Sequence, residues 1–143
     1  MDTLKEMAEQ RLSSNAFSNY NHIVLESVEP DKAVFQLNIQ PNSRNAYGLV
    51  HGGAIYTLAD NAAGVAALTD GRFYVTQNSS FNFFRNQAQG IVRAVAHIRH
   101  RSDSTCLAEV EILGENNHLL AIGEFTFFCV DPGRMAQKSA DHA

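Results

Sequence analysis

Hydrophobic and polar residues alternate over much of this chain, as they do in strands that bury one face. In residues 32–39, for example, Phe35 and Leu37 alternate with Gln36 and Asn38. Residues typical of turns separate the successive runs. The pattern predicts six strands, at residues 23–29, 32–39, 73–84, 90–101, 105–113 and 118–130.

A long apolar segment interrupts the strand pattern after the second strand. From Gly53 to Thr69 the only charged residue is Asp60. A helix that is apolar on nearly every side is expected to be buried, and residues 70–71, Asp-Gly, supply its C-terminal stop. A weaker apolar stripe predicts a short amphipathic helix at about residues 3–13.

Two strands, one buried helix and four further strands indicate an α+β fold, in which a long antiparallel sheet wraps around a single helix. We expect one domain over residues 1–131, with the N-terminal helix packed on the domain or folded over a pocket. Residues 132–143 are polar and small, and we predict that they form a disordered tail.

The composition is that of an ordinary soluble protein, with 45% hydrophobic residues and a formal charge of -4 in 143 residues. This charge argues against a nucleic-acid partner. We expect no signal peptide, because the N-terminal residues lack an apolar segment, and we expect the apolar helix to be too short to span a bilayer. Cys106 and Cys129 are interpreted as small buried hydrophobic residues. The expected location is the cytoplasm.

Asp60 is the first candidate for chemistry. An ionised group among apolar neighbours is costly to bury unless it is paired or used in a reaction. The alternative is that Asp60 pairs with a cation or with backbone groups at an interface.

The residues around this carboxylate have a distinctive spacing. Asn45 lies six residues before His51-Gly52-Gly53, and Asp60 lies eight residues after Gly52. With the apolar helix that follows, this arrangement resembles the hotdog-fold acyl-CoA thioesterases, most closely their phenylacetate-pathway branch. The resemblance extends over about residues 28–130 and implies a hotdog fold.

The resemblance implies hydrolysis of a coenzyme A thioester with an aryl, short-chain or medium-chain acyl group. It assigns the oxyanion-binding amide to Gly52, a role for which a glycine at a helix N-terminus is physically suited. It makes Asp60 either the general base or the nucleophile, and this choice stays open. Asn45 corresponds to a polar residue that orients water or the carboxylate, although its alternative role is to stabilise its own turn.

Further site residues follow from the same resemblance. For His51, a positioning role is favoured over direct proton transfer. Gly53 and Gly64, the latter one turn beyond Asp60, are assigned to the substrate site, where small residues leave room for an acyl group. Thr76 lies where relatives often carry a hydroxyl residue that faces the site, although Thr is also common in strands.

A basic cluster lies on the fourth predicted strand. Arg99 and Arg101 are candidates for binding the phosphates of coenzyme A, and the alternative is a charged edge strand that resists aggregation. His97 and His100 have no acidic or cysteine partners at ligand spacing. We therefore expect no metal and no cofactor other than the coenzyme A of the substrate.

The family usually pairs two subunits through the strand after the helix, here residues 73–84, as a homodimer or a homotetramer of two dimers. Asp60 of one chain would then face Asn45 and Gly52 of the other. In this chain the strand is unusually polar in its middle, and residues 85–87 replace the common Arg-Pro step. These departures leave open how the acyl group is recognised and how the two subunits pair.

Two other functions use the same scaffold. The first is a non-catalytic acyl-CoA sensor or carrier. The second, which is less favoured, is an enoyl-CoA hydratase, because such enzymes typically place a histidine a few residues from the aspartate and none follows Asp60 closely.

Overall fold

The computed structural model describes residues 3–130. The predicted tail, residues 132–143, lies outside this part of the chain. The three helices are α1 (Thr3–Ser13), α2 (Ala16–Tyr20) and α3 (Gly52–Leu68). The six strands are β1 (Ile23–Glu29), β2 (Lys32–Asn38), β3 (Phe73–Phe83), β4 (Ile91–Arg101), β5 (Thr105–Leu113) and β6 (Leu119–Val130).

The six strands form one antiparallel sheet in the order β1-β2-β4-β5-β6-β3. Two predicted strands match the structure at both ends, and the other four differ by one residue at one end. The last three strands, β4, β5 and β6, form an antiparallel meander, while β3 pairs with β6 and β2 pairs with β4. The prediction of an α+β hotdog fold is confirmed by this sheet and its central helix.

The sheet packs around α3, and the small residues of the helix permit that close approach. Five of its alanines are less than 1% exposed: Ala59, Ala62, Ala63, Ala66 and Ala67. From the sheet, Phe35 and Phe125 are equally buried. The alternation between buried and partly exposed positions in β5 shows why the sequence pattern was informative. The core is therefore one helix enclosed by one face of the sheet.

The strand order corrects one prediction. β4 lies between β2 and β5, so it is an interior strand, and the interpretation of its basic cluster as a charged edge is wrong. The edge strands are β1 and β3. On β3, Phe73, Val75 and Phe83 are 40–52% exposed, so this edge presents apolar side chains together with unpaired backbone groups.

The N-terminal helices pack on β1. Ala8 and Leu12 of α1 are buried in the core. Asn61 of α3 donates a hydrogen bond of 2.8 Å to the hydroxyl of Ser18 in α2, which is fully buried. Asn15, the N-cap of α2, donates to Asn61 in turn. No helix within residues 3–130 has the length and apolar character needed to cross a membrane.

Candidate active site

Asp60 lies on α3, two turns from its N-terminus, and its side chain is partly buried. The hydroxyl of Thr76 on β3 donates a hydrogen bond of 3.0 Å to Oδ1 of Asp60. Burial raises the pKa of Asp60 above its ordinary value, while the hydrogen bond from Thr76 and the positive charge of Arg11 oppose that rise. The carboxyl is thus held in a partly desolvated position between α3 and β3.

Within residues 3–130, no cation lies within ion-pair distance of Asp60. Within the same residues, no group donates a hydrogen bond to Oδ2 of this carboxylate. These observations argue against the alternative in which Asp60 only forms an internal ion pair. A partly buried carboxylate with an open oxygen can accept a proton from water or attack an electrophilic carbon.

His51 forms the N-cap of α3. Its Nδ1 accepts a hydrogen bond of 2.8 Å from the backbone N–H of Gly53, and the backbone N–H of His51 donates to the carbonyl of Ser43 at 2.7 Å. A Cβ added to Gly53 would stand 3.0 Å from Nδ1 of His51. The imidazole therefore holds the first turn of α3 in position. The N–H of Gly53 already has an acceptor within the protein.

Gly52 supplies a different amide. Among the residues that the structure describes, no acceptor takes the N–H of Gly52. As the first residue of α3, it lies at the positive end of the helix dipole. A Cβ added to Gly52 would meet only the ring of Phe83, at an ordinary contact distance of 3.5 Å. The packing of this chain alone therefore does not require a glycine here.

Asn45 lies in the loop that leads to His51. Its Oδ1 accepts hydrogen bonds from the amides of Tyr47 at 2.9 Å and Leu49 at 3.1 Å. The side chain thus stabilises its own loop, which is the alternative role considered from the sequence. Its Nδ2 donates to no acceptor within residues 3–130, so this N–H₂ group is the part of Asn45 that is left for a ligand.

Gly64 lies one helical turn beyond Asp60, on the same face of α3. A Cβ added there would meet no heavy atom within 4 Å. The space that the sequence predicts for an acyl group beside Asp60 is therefore open in this chain.

The two candidate phosphate ligands differ. Arg101 binds the C-terminal end of α3, where it donates to the carbonyls of Ala67 at 2.9 Å and Ala66 at 3.1 Å. It also forms ion pairs with Asp31 and Asp70. Its guanidinium is therefore engaged within the fold rather than available to a phosphate.

Arg99 lies on the solvent face of β4, where its side chain is 57% exposed. Its single ion pair, with Glu109, has an N–O distance of 3.1 Å. An exposed pair of this kind contributes little to stability, so the guanidinium of Arg99 can exchange its partner for a phosphate.

The predicted site residues fall into two groups. Asn45, His51 and Gly52 lie at the N-terminus of α3 and form the amide group of the site. Asp60 and Thr76 form the carboxylate group. Eight residues of helix separate Gly52 from Asp60, which corresponds to about 12 Å along the axis. A single chain therefore does not bring the two groups to one reacting atom.

Sequence reasoning missed the involvement of Arg11. Its charge acts on Asp60 across the gap between α1 and α3. The signal was present in the sequence, because Arg11 continues the apolar stripe of α1 four residues after Met7.

Cys106 is buried and Cys129 is half-buried, and both are free thiols. Burial raises the pKa of Cys106, so its thiol is held in the neutral form. Within the described ranges, no cluster of His, Cys, Asp and Glu could hold a metal ion.

The comparisons with known proteins agree with this geometry. The sequence profile of the thioesterase superfamily matches residues 47–121. The 1,4-dihydroxy-2-naphthoyl-CoA hydrolase of Listeria monocytogenes is 31% identical over 107 residues, which cover 73% of this chain and 87% of that protein. The predicted resemblance to the hotdog thioesterases is confirmed.

Solved structures give the same fold. The PaaI protein of Escherichia coli superposes with a TM-score of 0.85 at 22% identity, over 90% of this chain and 94% of that chain. The protein smu.793 of Streptococcus mutans, solved with acetyl CoA bound, has a TM-score of 0.72 at 26% identity. That superposition covers 76% of this chain and 88% of the streptococcal chain.

Proposed function

This chain belongs to the thioesterase superfamily, and from that premise we propose that it hydrolyses acyl-CoA thioesters to a free acid and coenzyme A. The observation that carries this proposal is the pair of open groups on α3. Gly52 offers an N–H without an acceptor, and Asp60 offers a carboxylate oxygen without a donor, both within the described residues.

In the proposed mechanism, the carbonyl oxygen of the thioester accepts a hydrogen bond from the Gly52 amide. Attack on the carbonyl carbon moves negative charge onto this oxygen. The N–H at the positive end of α3 stabilises that charge because it is already oriented and costs no reorganisation. His51 contributes by holding the first turn of the helix in place through the Gly53 amide.

Asp60 has two possible roles, between which the geometry does not choose. As a general base, it accepts a proton from water while the water oxygen attacks the carbonyl carbon. As a nucleophile, it forms an acyl-aspartyl anhydride that water then hydrolyses. In both cases the carbon–sulfur bond breaks, and the sulfur leaves as the coenzyme A thiolate, which takes up a proton.

We propose that the complete site forms between two chains. The separation of about 12 Å between Gly52 and Asp60 along α3 prevents one chain from presenting both groups to one carbon. Edge strand β3 offers apolar side chains and free backbone groups to a second copy. Antiparallel pairing of two β3 strands would place Asp60 of one subunit near Asn45 and Gly52 of its partner. A homotetramer of two such dimers is the larger assembly we expect.

The proposed substrate is a coenzyme A thioester with an aryl, short-chain or medium-chain acyl group. The names of two relatives support it, a naphthoyl-CoA hydrolase in Listeria and the acyl-coenzyme A thioesterase PaaI in Escherichia coli. The acetyl CoA bound to the streptococcal neighbour supports coenzyme A binding on this scaffold. Arg99 is the proposed phosphate ligand, because its side chain is exposed and weakly paired.

One structural observation favours keeping the non-catalytic acyl-CoA carrier as a second candidate. The middle of β3 is polar and exposed around residues 76–80, which is unusual for a strand beside an acyl site. The enoyl-CoA hydratase has no such support, because Thr76 is the only hydrogen-bond partner of Asp60 within residues 3–130. The cytoplasmic location and the absence of a nucleic-acid partner stay predictions.

The first test of this proposal is thiol release from acetyl-, hexanoyl-, palmitoyl- and phenylacetyl-CoA. Hydrolysis of at least one thioester, lost in Asp60→Asn, is the expected result. Absence of hydrolysis across the panel, together with thermal stabilisation by the same compounds, would identify the non-catalytic carrier instead.

The shared site is tested by mixing two inactive variants. Asp60→Asn removes the carboxylate, and Gly52→Ala obstructs the amide. In a heterodimer of the two variants, one of the two sites retains both groups intact. Random exchange of subunits at equal amounts should restore about a quarter of the wild-type activity. If the mixture stays as inactive as its components, the site does not span two chains.

A further inference from the structure

A pocket of about 340 Å³ lies between α1, the C-terminal end of α3 and the start of β3. We call it the α1 pocket. Its lining includes Met7, Arg11, Leu68, Arg72 and Phe73. It is formed by α1 and by the segment from the end of α3 to the start of β3, so it lies outside the amide group of the site.

The two arginines of the α1 pocket are held differently. Arg72 pairs with Asp70 at 2.9 Å and donates to the carbonyls of Asp103 and Ser102. Its charge is therefore neutralised and its position fixed. Arg11 forms no ion pair and no side-chain hydrogen bond within residues 3–130. Among the described residues, the guanidinium of Arg11 thus has no hydrogen-bonded or ion-pair partner and can bind an anion.

The α1 pocket lies beside the part of α3 that carries the proposed catalytic carboxylate, because Ser14 lines the pocket and the next residue, Asn15, donates a hydrogen bond of 3.4 Å to Asn61. Arg11 lies close enough to Asp60 for its charge to oppose the rise in the pKa of that carboxyl. At Gly64, one turn beyond Asp60, an added Cβ would meet no heavy atom within 4 Å, so this face of α3 is open there. Leu68, eight residues after Asp60, is reached after about 12 Å of helix. An acyl group that is attacked at Asp60 can extend along this face into the pocket.

We propose that the α1 pocket binds the end of the acyl group remote from the thioester, and that Arg11 selects acyl groups carrying a carboxylate at that end. Met7, Leu68 and Phe73 offer apolar surface for the methylene groups in between. A guanidinium binds a carboxylate with two parallel hydrogen bonds, which gives both strength and orientation. This inference rests on the proposed hydrolysis and names a substrate class within it.

The test compares acyl-CoA pairs of equal length with and without a terminal carboxylate, namely hexanoyl- with adipyl-CoA and octanoyl- with suberyl-CoA. Arg11→Met keeps the length of the side chain and removes its charge. We expect kcat/KM for the carboxylated member of at least one pair to fall about tenfold or more. Because Arg11 also opposes the rise in the pKa of Asp60, both members are measured on the plateau above the acid limb, where kcat/KM for the alkyl member should change much less than for the carboxylated member. Arg11→Lys, which keeps the charge without the planar fork, is the matched control and should retain part of the selectivity.

Equal losses for both members of each pair, with the acid limb of the pH profile moved to higher pH, would overturn the proposal. In that case Arg11 acts only on the ionisation of Asp60. Met7→Trp provides a second test that does not depend on Arg11, because it fills the pocket from α1. It should slow suberyl-CoA more than acetyl-CoA, and equal effects on the two would contradict a role of the pocket in acyl binding.

Failure of the proposed function has a different signature. If the wild-type protein hydrolyses no thioester, the thermal shift caused by suberyl-CoA is compared with that caused by octanoyl-CoA. A larger shift for suberyl-CoA that is lost in Arg11→Met supports the α1 pocket even without catalysis. Equal shifts in the wild-type protein reject it.

Discussion

The hydroxyl of Thr76 donates a 3.0 Å hydrogen bond to Oδ1 of Asp60 and so joins β3 to the middle of α3. This bond favours the ionised carboxylate, whereas partial burial of the same group favours its protonated form. Burial is the larger of the two effects. A carboxylate must be ionised to act as base or nucleophile, so Thr76 helps to set the pH range in which Asp60 can work.

Replacing Thr76 with valine should move the acid limb of the pH profile. Thr76→Val keeps the shape of the side chain and removes the donor, so the pKa of Asp60 should rise further. The acid limb of kcat/KM should then shift to higher pH, with a smaller effect on the plateau above it. Thiol release measured across the acid range would show this shift. Thr76→Ser retains the hydroxyl and should leave the profile near that of the wild type.

Asp60→Asn should separate activity from stability. The substitution removes the charge and keeps the acceptor for Thr76, so turnover should fall about 100-fold or more. Because folding raises the pKa of Asp60, the folded chain holds this proton more tightly than the unfolded chain. Stability therefore decreases as the pH rises from the ordinary value of 3.8 through the folded-state pKa, and that cost persists at neutral pH.

The measurement is a pair of melting curves over a range of pH. The Asn variant should melt above the wild type at neutral pH, by about 1–3 °C. The difference should shrink as the pH falls below the pKa of Asp60 in the folded protein. A variant that melts below the wild type at neutral pH would show that the carboxylate stabilises the fold.

The two glycines at the start of α3 should respond differently to alanine. At Gly52 the new methyl meets only Phe83 at 3.5 Å, and alanine favours a helix by up to about 1 kcal/mol. Gly52→Ala should therefore be as stable as the wild type while losing activity, because the methyl stands beside the oxyanion donor. At Gly53 the methyl would press on His51 at 3.0 Å and disturb the N-cap.

Gly53→Ala should consequently lose about 1 kcal/mol of stability through the damaged cap. Denaturant unfolding and thiol release, measured on both variants, test the contrast. Full activity in a stable Gly52→Ala protein would show that the substrate does not approach this amide as closely as the proposed oxyanion role requires. The matched control is Gly64→Ala, where the added methyl has open space and the fold should be unaffected.

The local pattern predicted the fold because hydrophobic residues recur at every second position in a strand with one buried face. Alternation such as that at Phe35 and Leu37 was sufficient to predict the strands. The single charge in an otherwise apolar helix was sufficient to identify Asp60 as the principal candidate residue. The order of strands in the sheet is set by pairing between distant segments. Local pattern therefore did not show that β4 is an interior strand.

Contacts between residues far apart in sequence explain what the sequence did not reveal at the site. Arg101 binds Asp31, which lies 70 residues earlier, so its engagement could not be read from the basic cluster around it. The side chain of Asn45 accepts hydrogen bonds from its own loop. Its spacing from His51 in the sequence did not show whether it stabilises that loop or contacts a substrate. The space beside Arg11 exists only because α1 packs on β1 and faces the end of α3 and the start of β3 across the pocket.

The two arginines of β4 provide the last prediction, because they should affect different quantities. Arg101→Met removes the bonds to the end of α3 and leaves Asp70 without this cation. It should lower the free energy of unfolding by about 2 kcal/mol or more and leave KM for an acyl-CoA nearly unchanged. Arg99→Met should leave stability nearly unchanged, because its pair with Glu109 is exposed.

If Arg99 binds a phosphate of coenzyme A, Arg99→Met should raise KM several-fold with little change in kcat, and added salt should reduce the difference between variant and wild type. Kinetics on acetyl-CoA and on the short thioester of N-acetylcysteamine, which lacks the phosphates, separate the two arginines. The Arg99 effect should vanish with the short thioester. A rise in KM that persists with this compound would show that Arg99 does not act through the phosphates.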